Sequence, residues 1–538
     1  MQRLCAFAES TPLPPGSDDC EETWGMLRLS LPDRKAILLS GAAGLLLTLS
    51  FPVYSLGPLA WAALVPLFFV IQSSQPGRCF KLGWFAGLVH GLTLLYWIVF
   101  VVNHYGNLPF VASVAVCFLL VAYLALYPGL FCAGLSWLRT RGLPWLLVAP
   151  FLWVALELGR GWLLSGFPWE NLGYSQYRSL SLIQMADLTG VAGISFLLVA
   201  VNALLFQGFA TLMQRRKILA SILPVALAAA VIFGQYGYGR WRLSTLETSS
   251  SPTIKVSLIQ GNIPQETKWE PAFQQATLER YLRLTKEVVE RDHPQLVVWP
   301  ETATPFYFLG EGELSRRLIL EMQSLKTPLI FGSPAVRRQG DRLRFYNRAY
   351  LLDDRGQVAG YYDKRHLVPF GEYVPLQSLL FFVHRLVEAT GDFAAGDRPA
   401  VMTLGTARPG VLICYEAIFP ELSRDLVRHG ANLLVNITND AWFGRTSAPY
   451  QHLSMALLRA VEFRVPMVRC ANTGISALID PSGRIVRETG LFKEGSLTGS
   501  LRLGSGQTFY CRHGEWVAVG CLLVSTVACV IPLIRRPK

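Results

Sequence analysis

Three residues with complementary chemistry each follow a short apolar or aromatic run. Cys414 closes Gly410-Val411-Leu412-Ile413, Glu301 follows Val297-Val298-Trp299-Pro300, and Lys364 comes directly after Tyr361-Tyr362-Asp363. Such runs read as strands, and in open α/β sheets reactive side chains gather where strands end. A thiol placed there beside a cation or a helix start can have its pKa lowered and act as a nucleophile. A carboxylate at a second strand end can take the thiol proton, and a lysine can donate to the oxyanion of a tetrahedral intermediate. Each residue alone has a plainer use, as a core thiol, a turn-capping glutamate or a solvated lysine. Only the three together would supply a nucleophile, its base and a donor to the oxyanion of an acyl transfer.

Strand ends need a sheet to hold them, and residues 240–515 have the pattern for one. Runs rich in β-formers at 254–259, 296–298, 329–331, 349–352, 410–413 and 433–437 alternate with helical patterns such as 274–291 and 314–325. The alternation predicts an α/β domain, without internal repeat, that is long enough to bury its own core.

The rest of the chain is of another kind. Of 538 residues, 51% are hydrophobic and 16% charged, and mean hydropathy is +0.34, whereas typical soluble domains carry about 25% charge. A polar arm, residues 1–35, precedes seven apolar stretches at 36–53, 56–71, 82–102, 110–135, 145–158, 191–212 and 218–236, and an eighth follows at 516–534. Most approach the roughly 17 to 25 residues that cross a bilayer as a helix; the second and fifth are shorter or interrupted by Pro and Gly. The expected organisation is therefore the arm, a seven-span bundle over 36–239, the α/β domain over 240–515, and a last span with a basic tail over 516–538.

The net charge of +12 collects beside the spans, at Arg34 and Lys35, Arg78 and Lys81, Arg139 and Arg141, Arg215 to Lys217, and Arg535, Arg536 and Lys538. These clusters fall in alternate loops, which places both termini in the cytoplasm and the α/β domain on the far side. No nucleic-acid motif accompanies the charge, so nucleic acid is not an expected partner. The ten cysteines form no disulfide framework and show no metal-binding spacing, so no metal is implied. His452 reads as structural, and Asn439 and Asp440 as residues that cap a turn or order the site.

Together the motifs resemble the nitrilase superfamily of carbon-nitrogen hydrolases. With the apolar spans around it, the pattern is similar to the membrane-embedded apolipoprotein N-acyltransferase family of Gram-negative bacteria. The segments that carry the likeness are Gln260-Gly261-Asn262-Ile263-Pro264-Gln265 with Lys268-Trp269, Trp299-Pro300-Glu301, His366 to Pro375, Cys414-Tyr415-Glu416, Asn439 to Gly444, Phe167-Pro168-Trp169 and Gly173-Tyr174-Ser175-Gln176. The resemblance implies a four-layer α-β-β-α sandwich on a polytopic helical bundle of about eight spans. It also implies Glu301 as base, Lys364 as oxyanion stabiliser and Cys414 as nucleophile, with Trp269, Glu372, Tyr415 and Glu416 binding or supporting. The plainer uses are packing for Trp269 and turn support for Tyr415 and Glu416.

The same likeness implies a phospholipid acyl donor, a diacylglyceryl-modified apolipoprotein acceptor, no cofactor, a monomer, and a bacterial inner membrane location with the catalytic domain in the periplasm. A membrane-tethered amidase is the first alternative; eight spans argue against it, since a tether needs one. A transporter or binding protein with a silent domain is the second, and the scarcity of ionisable residues in the spans, His90 and Glu157 being the main exceptions, argues against it. The apolar segment 376–387, which contains Phe381 and Phe382, reads either as a membrane-facing lid over Cys414 or as a core helix.

Overall fold

The computed structural model describes residues 33–214, 218–248, 250–310, 312–369, 371–373 and 393–534. Among these residues, eleven strands form two sheets. The first has the order β11 (Gly495–Arg502), β1 (Thr253–Gln260), β2 (Leu296–Val298), β3 (Leu329–Gln339), β4 (Arg342–Leu352) and β5 (Val358–Asp363). The second runs β10 (Ile485–Glu488), β9 (Ala477–Ile479), β8 (Met467–Ala471), β7 (Leu433–Thr438) and β6 (Pro409–Ile413). β1, β2 and β3 pair in parallel, as do β6, β7 and β8, so several strands of each sheet end on the same side.

Alternation along the strands explains the layers. Leu296 and Val298 of β2 meet Val411 and Ile413 of β6 in a core between the sheets, joined by Val435, Ile437 and Val468. The intervening Val297 and Trp299 point the other way, onto Leu278, Tyr281 and Val288 of helix Pro271–Asp292 and Leu318 and Met322 of helix Glu313–Leu325. On the far sheet, Leu412 and Leu434 face outward into a core shared with helix Ala448–Phe463 and with the apolar half of the chain. A period of two thus buries both faces of the central strands, giving the α-β-β-α order. At about 1.5 to 3 kcal/mol for each fully buried aliphatic side chain, these faces are the main stabilising element.

All eight apolar stretches contain helix. Among the described residues, four helices are long and apolar enough to cross a membrane: Phe110–Thr140, Trp145–Ser165, Ala186–Met213 and Ile218–Glu247. A fifth results if Pro76–Leu94 and Trp97–His104, bent by 58°, form one span. By length and composition the expected eight crossings therefore stand at four or five. The first stretch is helix Asp33–Ser50, whose first three residues, Asp33, Arg34 and Lys35, are charged, while Gly57–Ser73 and Trp516–Ile531 are shorter apolar helices.

A buried glutamine is one of the residues that join the two halves. Gln451, fully buried on helix Ala448–Phe463, accepts the indole N–H of Trp97 at 3.0 Å and of Trp169 at 2.8 Å. Its amide nitrogen faces the carbonyls of Leu94 at 3.1 Å and Pro52 at 3.3 Å. Leu94 and Trp97 flank the bend of the broken helix pair, so the α/β domain is keyed to that bend by polar contacts.

Candidate active site

Glu301, Lys364, Glu372 and Cys414 converge between the sheets, at the ends of β2, β5 and β6. Glu301 is 6% and Lys364 1% exposed. Lys364 Nζ donates to Glu372 at 2.9 Å and stands 3.6 Å from Glu301 Oε1. Asn347 on β4 holds the pair of carboxylates together: its side-chain N–H group donates to Glu301 at 2.7 Å and to Glu372 at 3.1 Å, and its carbonyl accepts the Lys364 backbone N–H at 2.9 Å. The other oxygen of Glu301 accepts the backbone N–H of Asn439 at 2.9 Å, so Asn439 orders the site from the end of β7. Burial would lower the Lys364 pKa, but Glu372 and then Glu301 outweigh it and hold the group above its ordinary value as a fixed cation.

Cys414 begins the short 3₁₀ turn Cys414–Ile418 with φ of +55°, a region that L residues rarely enter. Glu416 closes this turn by accepting the Ile413 N–H at 2.7 Å. From below, Asn436 donates to the Cys414 carbonyl at 3.3 Å and His452 Nε2 lies 3.2 Å from it. A carbonyl can only accept, so Nε2 carries the proton, while Nδ1 sits 3.1 Å from the Arg469 guanidinium. Arg469 also binds Asp440 at 2.7 Å. Burial would raise the Asp440 pKa, but Arg469 holds it well below the usual carboxylate range.

The thiol pKa is not lowered on balance by the neighbouring cation. It is raised, first by burial and then by the charge of Glu301, and Lys364 does not offset both. In this geometry Cys414 is a thiol that needs a base, not a preformed thiolate. The sequence placed a cation and a carboxylate nearby but could not show how deeply the cysteine would be buried between them.

The supporting residues separate in role. Glu416 lies behind the site and ties the turn after Lys364 to the turn of Cys414. Tyr415 turns toward the membrane half, its ring stacked 6.4 Å from Trp169. Trp269 is 37% exposed after the short helix Gln265–Lys268, and its neighbour Lys268 turns inward instead, 1% exposed. Phe381 and Phe382 lie outside the described residues. Asn347, Lys268 and Arg469 were missed in the sequence. A polar residue inside the strand-like run Phe345-Tyr346-Asn347-Arg348 was the available signal for the first, and the segment Lys268-Trp269 for the second; Arg469 had none.

Two family models cover the chain in succession. The first, apolipoprotein N-acyltransferase N-terminal domain, matches residues 43–204, and the second, carbon-nitrogen hydrolase, matches residues 255–509. A protein of Geobacter metallireducens called apolipoprotein N-acyltransferase is 46% identical over 95% of this chain and 98% of its own length. Relatives of the same name from Methylococcus capsulatus and Shewanella oneidensis are 35% and 34% identical, over 90% and 82% of this chain and 94% and 84% of theirs. With both domains in place around an enclosed cysteine, and with likeness running nearly end to end, the chain belongs to the apolipoprotein N-acyltransferase family.

Proposed function

We propose that the enzyme transfers an acyl chain from a membrane phospholipid to Cys414 and then to the α-amine of a diacylglyceryl-modified N-terminal cysteine of an apolipoprotein. The observation that carries the reading is the enclosed Glu301, Lys364 and Cys414 group in a chain that packs directly against membrane-length apolar helices. In the first half-reaction Glu301 takes the thiol proton and sulfur attacks the ester carbonyl. Lys364 donates to the oxyanion, an interaction of a kind worth about 3 to 4 kcal/mol when removed elsewhere. The C–O bond breaks and Glu301 returns the proton to the lysophospholipid alkoxide. In the second, the acceptor amine attacks the thioester, a C–N bond forms as C–S breaks, and the proton lost by nitrogen returns to sulfur through Glu301. An ester becomes an amide, so no nucleotide is consumed.

Intact mass of the purified protein after incubation with phosphatidylethanolamine tests the first half-reaction. One acyl-sized adduct on Cys414, discharged by a diacylglyceryl peptide, is the expected result. Hydrolysis of a small amide without any lipid adduct would sink the reading in favour of an amidase.

The finer topology belongs to the same proposal. It comprises eight crossings, a bundle over 36–239, the catalytic domain over 240–515, a last span over 516–538, and a monomer in the inner membrane with the catalytic domain in the periplasm. The alternation of basic loops supports it. Reporter fusions in the β3–β4 turn at Gly340 and at Lys538 are expected to report periplasm and cytoplasm respectively; a cytoplasmic signal at Gly340 would reverse the assignment.

A further inference from the structure

Lys268 takes no part in the reaction as written, yet it is buried against the base. Its Nζ donates to the Thr302 hydroxyl at 2.7 Å and to the Glu301 carbonyl at 3.2 Å. Both acceptors belong to a constrained turn. Thr302 has φ of +47°, where a β-branched residue is strained and persists only if its surroundings hold it. On the opposite side stands Gly332 of β3, where a Cβ would come within 2.4 Å of the Thr302 nitrogen and 2.8 Å of Glu301 Cα. The Gly332 N–H donates to the Pro300 carbonyl at 3.1 Å. The turn that carries Glu301 is therefore gripped by β3 on one side and by Lys268 on the other.

The charges give the lysine a second effect. Glu301 and Glu372 share Lys364, while Asp440 is satisfied by Arg469. Lys268 is the second buried cation beside Glu301, after Lys364. The geometry points to Lys268 as a positioning residue for the base: it pins the Glu301 turn and adds a second buried cation beside Glu301. This rests on Glu301 being the base and Cys414 the nucleophile.

Glu301 and Cys414 act on Lys268 from the ends of β2 and β6, and Lys364 and Glu372 stand beyond Glu301. On its own segment, Glu266 pairs with His104 of the apolar half, and Glu270 is solvent-exposed. Burial brings the Lys268 pKa down to about 8 against the pull of Glu301 and then Cys414. The ammonium is thus present at neutral pH and is lost as pH rises through that value.

The test follows acylation of Cys414 by intact mass in the full-length protein with phosphatidylethanolamine in mixed micelles, between pH 6 and 9.5, with thermal melting alongside. The wild-type rate is expected to fall above about pH 8. Lys268→Met should lose at least about tenfold at pH 7, within the range attributed to a positioned base, and should lack that alkaline inflection. Lys268→Arg, charged throughout the range, should retain much of the rate at pH 7 and also lack the inflection. An unchanged pH profile in both variants, with Glu301→Gln inactive, would overturn this inference alone, whatever the melting temperatures. Wild-type acylation by Glu301→Gln would overturn the base assignment beneath it.

Discussion

Cys414→Ala is expected to leave a folded protein that forms no acyl adduct and transfers no acyl chain, a loss of at least about 10⁴-fold by comparison with other covalent catalysts stripped of their nucleophile. The side chain removed is small and its cavity modest. Helix Ala448–Phe463 and β6 keep their other partners, so melting should change little. Glu301→Gln should fail at the same step with lipid binding intact, because the raised pKa of the enclosed thiol leaves no thiolate to act without a base. Lys364→Met differs in kind. It strips the cation from two buried carboxylates, and breaking a buried ion pair costs roughly 3 to 5 kcal/mol, so its lost rate must be compared with its lowered melting temperature. Transfer of labelled acyl chains to a lipoprotein in membranes carrying only Cys414→Ala would show that another group is the nucleophile.

Particular elements explain how much of this was legible beforehand. Strands β1, β2, β6 and β7 were readable because both their faces are buried, which writes them as short continuous apolar runs. Strands β10 and β11, with the polar sequences Ile-Val-Arg-Glu and Gly-Ser-Leu-Thr-Gly-Ser-Leu-Arg, lie at sheet edges and carry no such run. Helix Ala448–Phe463 was hidden for the opposite reason. It is buried along nearly its whole length between the sheet and the apolar half, so it lacks the polar face by which a surface helix is recognised; Gln451 and His452 along it bond to the bundle and to the Cys414 carbonyl, and Arg459 pairs with Glu462. The Glu, Lys and Cys positions could be read because strand ends are local signals. Asn347, Lys268 and Arg469 reach the site only through pairings distant in sequence, which no window of residues contains.

The second large effect is expected at Glu416, which never meets the substrate in the scheme above. One of its oxygens accepts the Tyr362 hydroxyl at 2.9 Å and the backbone N–H groups of Arg365 and His366 at 2.7 and 3.0 Å; the other accepts the Ile413 N–H at 2.7 Å. Tyr362, Arg365 and His366 bracket Lys364, and Ile413 precedes Cys414. A single fully buried carboxylate therefore sets Lys364 in register with Cys414. Glu416→Ala would leave four donors unpaired in the interior at about 1 to 3 kcal/mol each, a destabilisation of roughly 4 kcal/mol or more. At the usual 2 to 4 °C per kcal/mol for a domain of this size, melting of the α/β domain should fall by roughly 10 °C. Glu416→Gln keeps the shape. Its carbonyl oxygen can face the three donors near Lys364, and its amide then opposes only the Ile413 N–H, so the loss should be close to that of one buried bond. Acylation of Cys414 should follow the order wild type, Gln, Ala even at temperatures where all three are folded, since each step loosens Lys364 relative to Cys414. Equal damage from Gln and Ala would mean that negative charge at this position, rather than the pattern of acceptors, holds the two turns together.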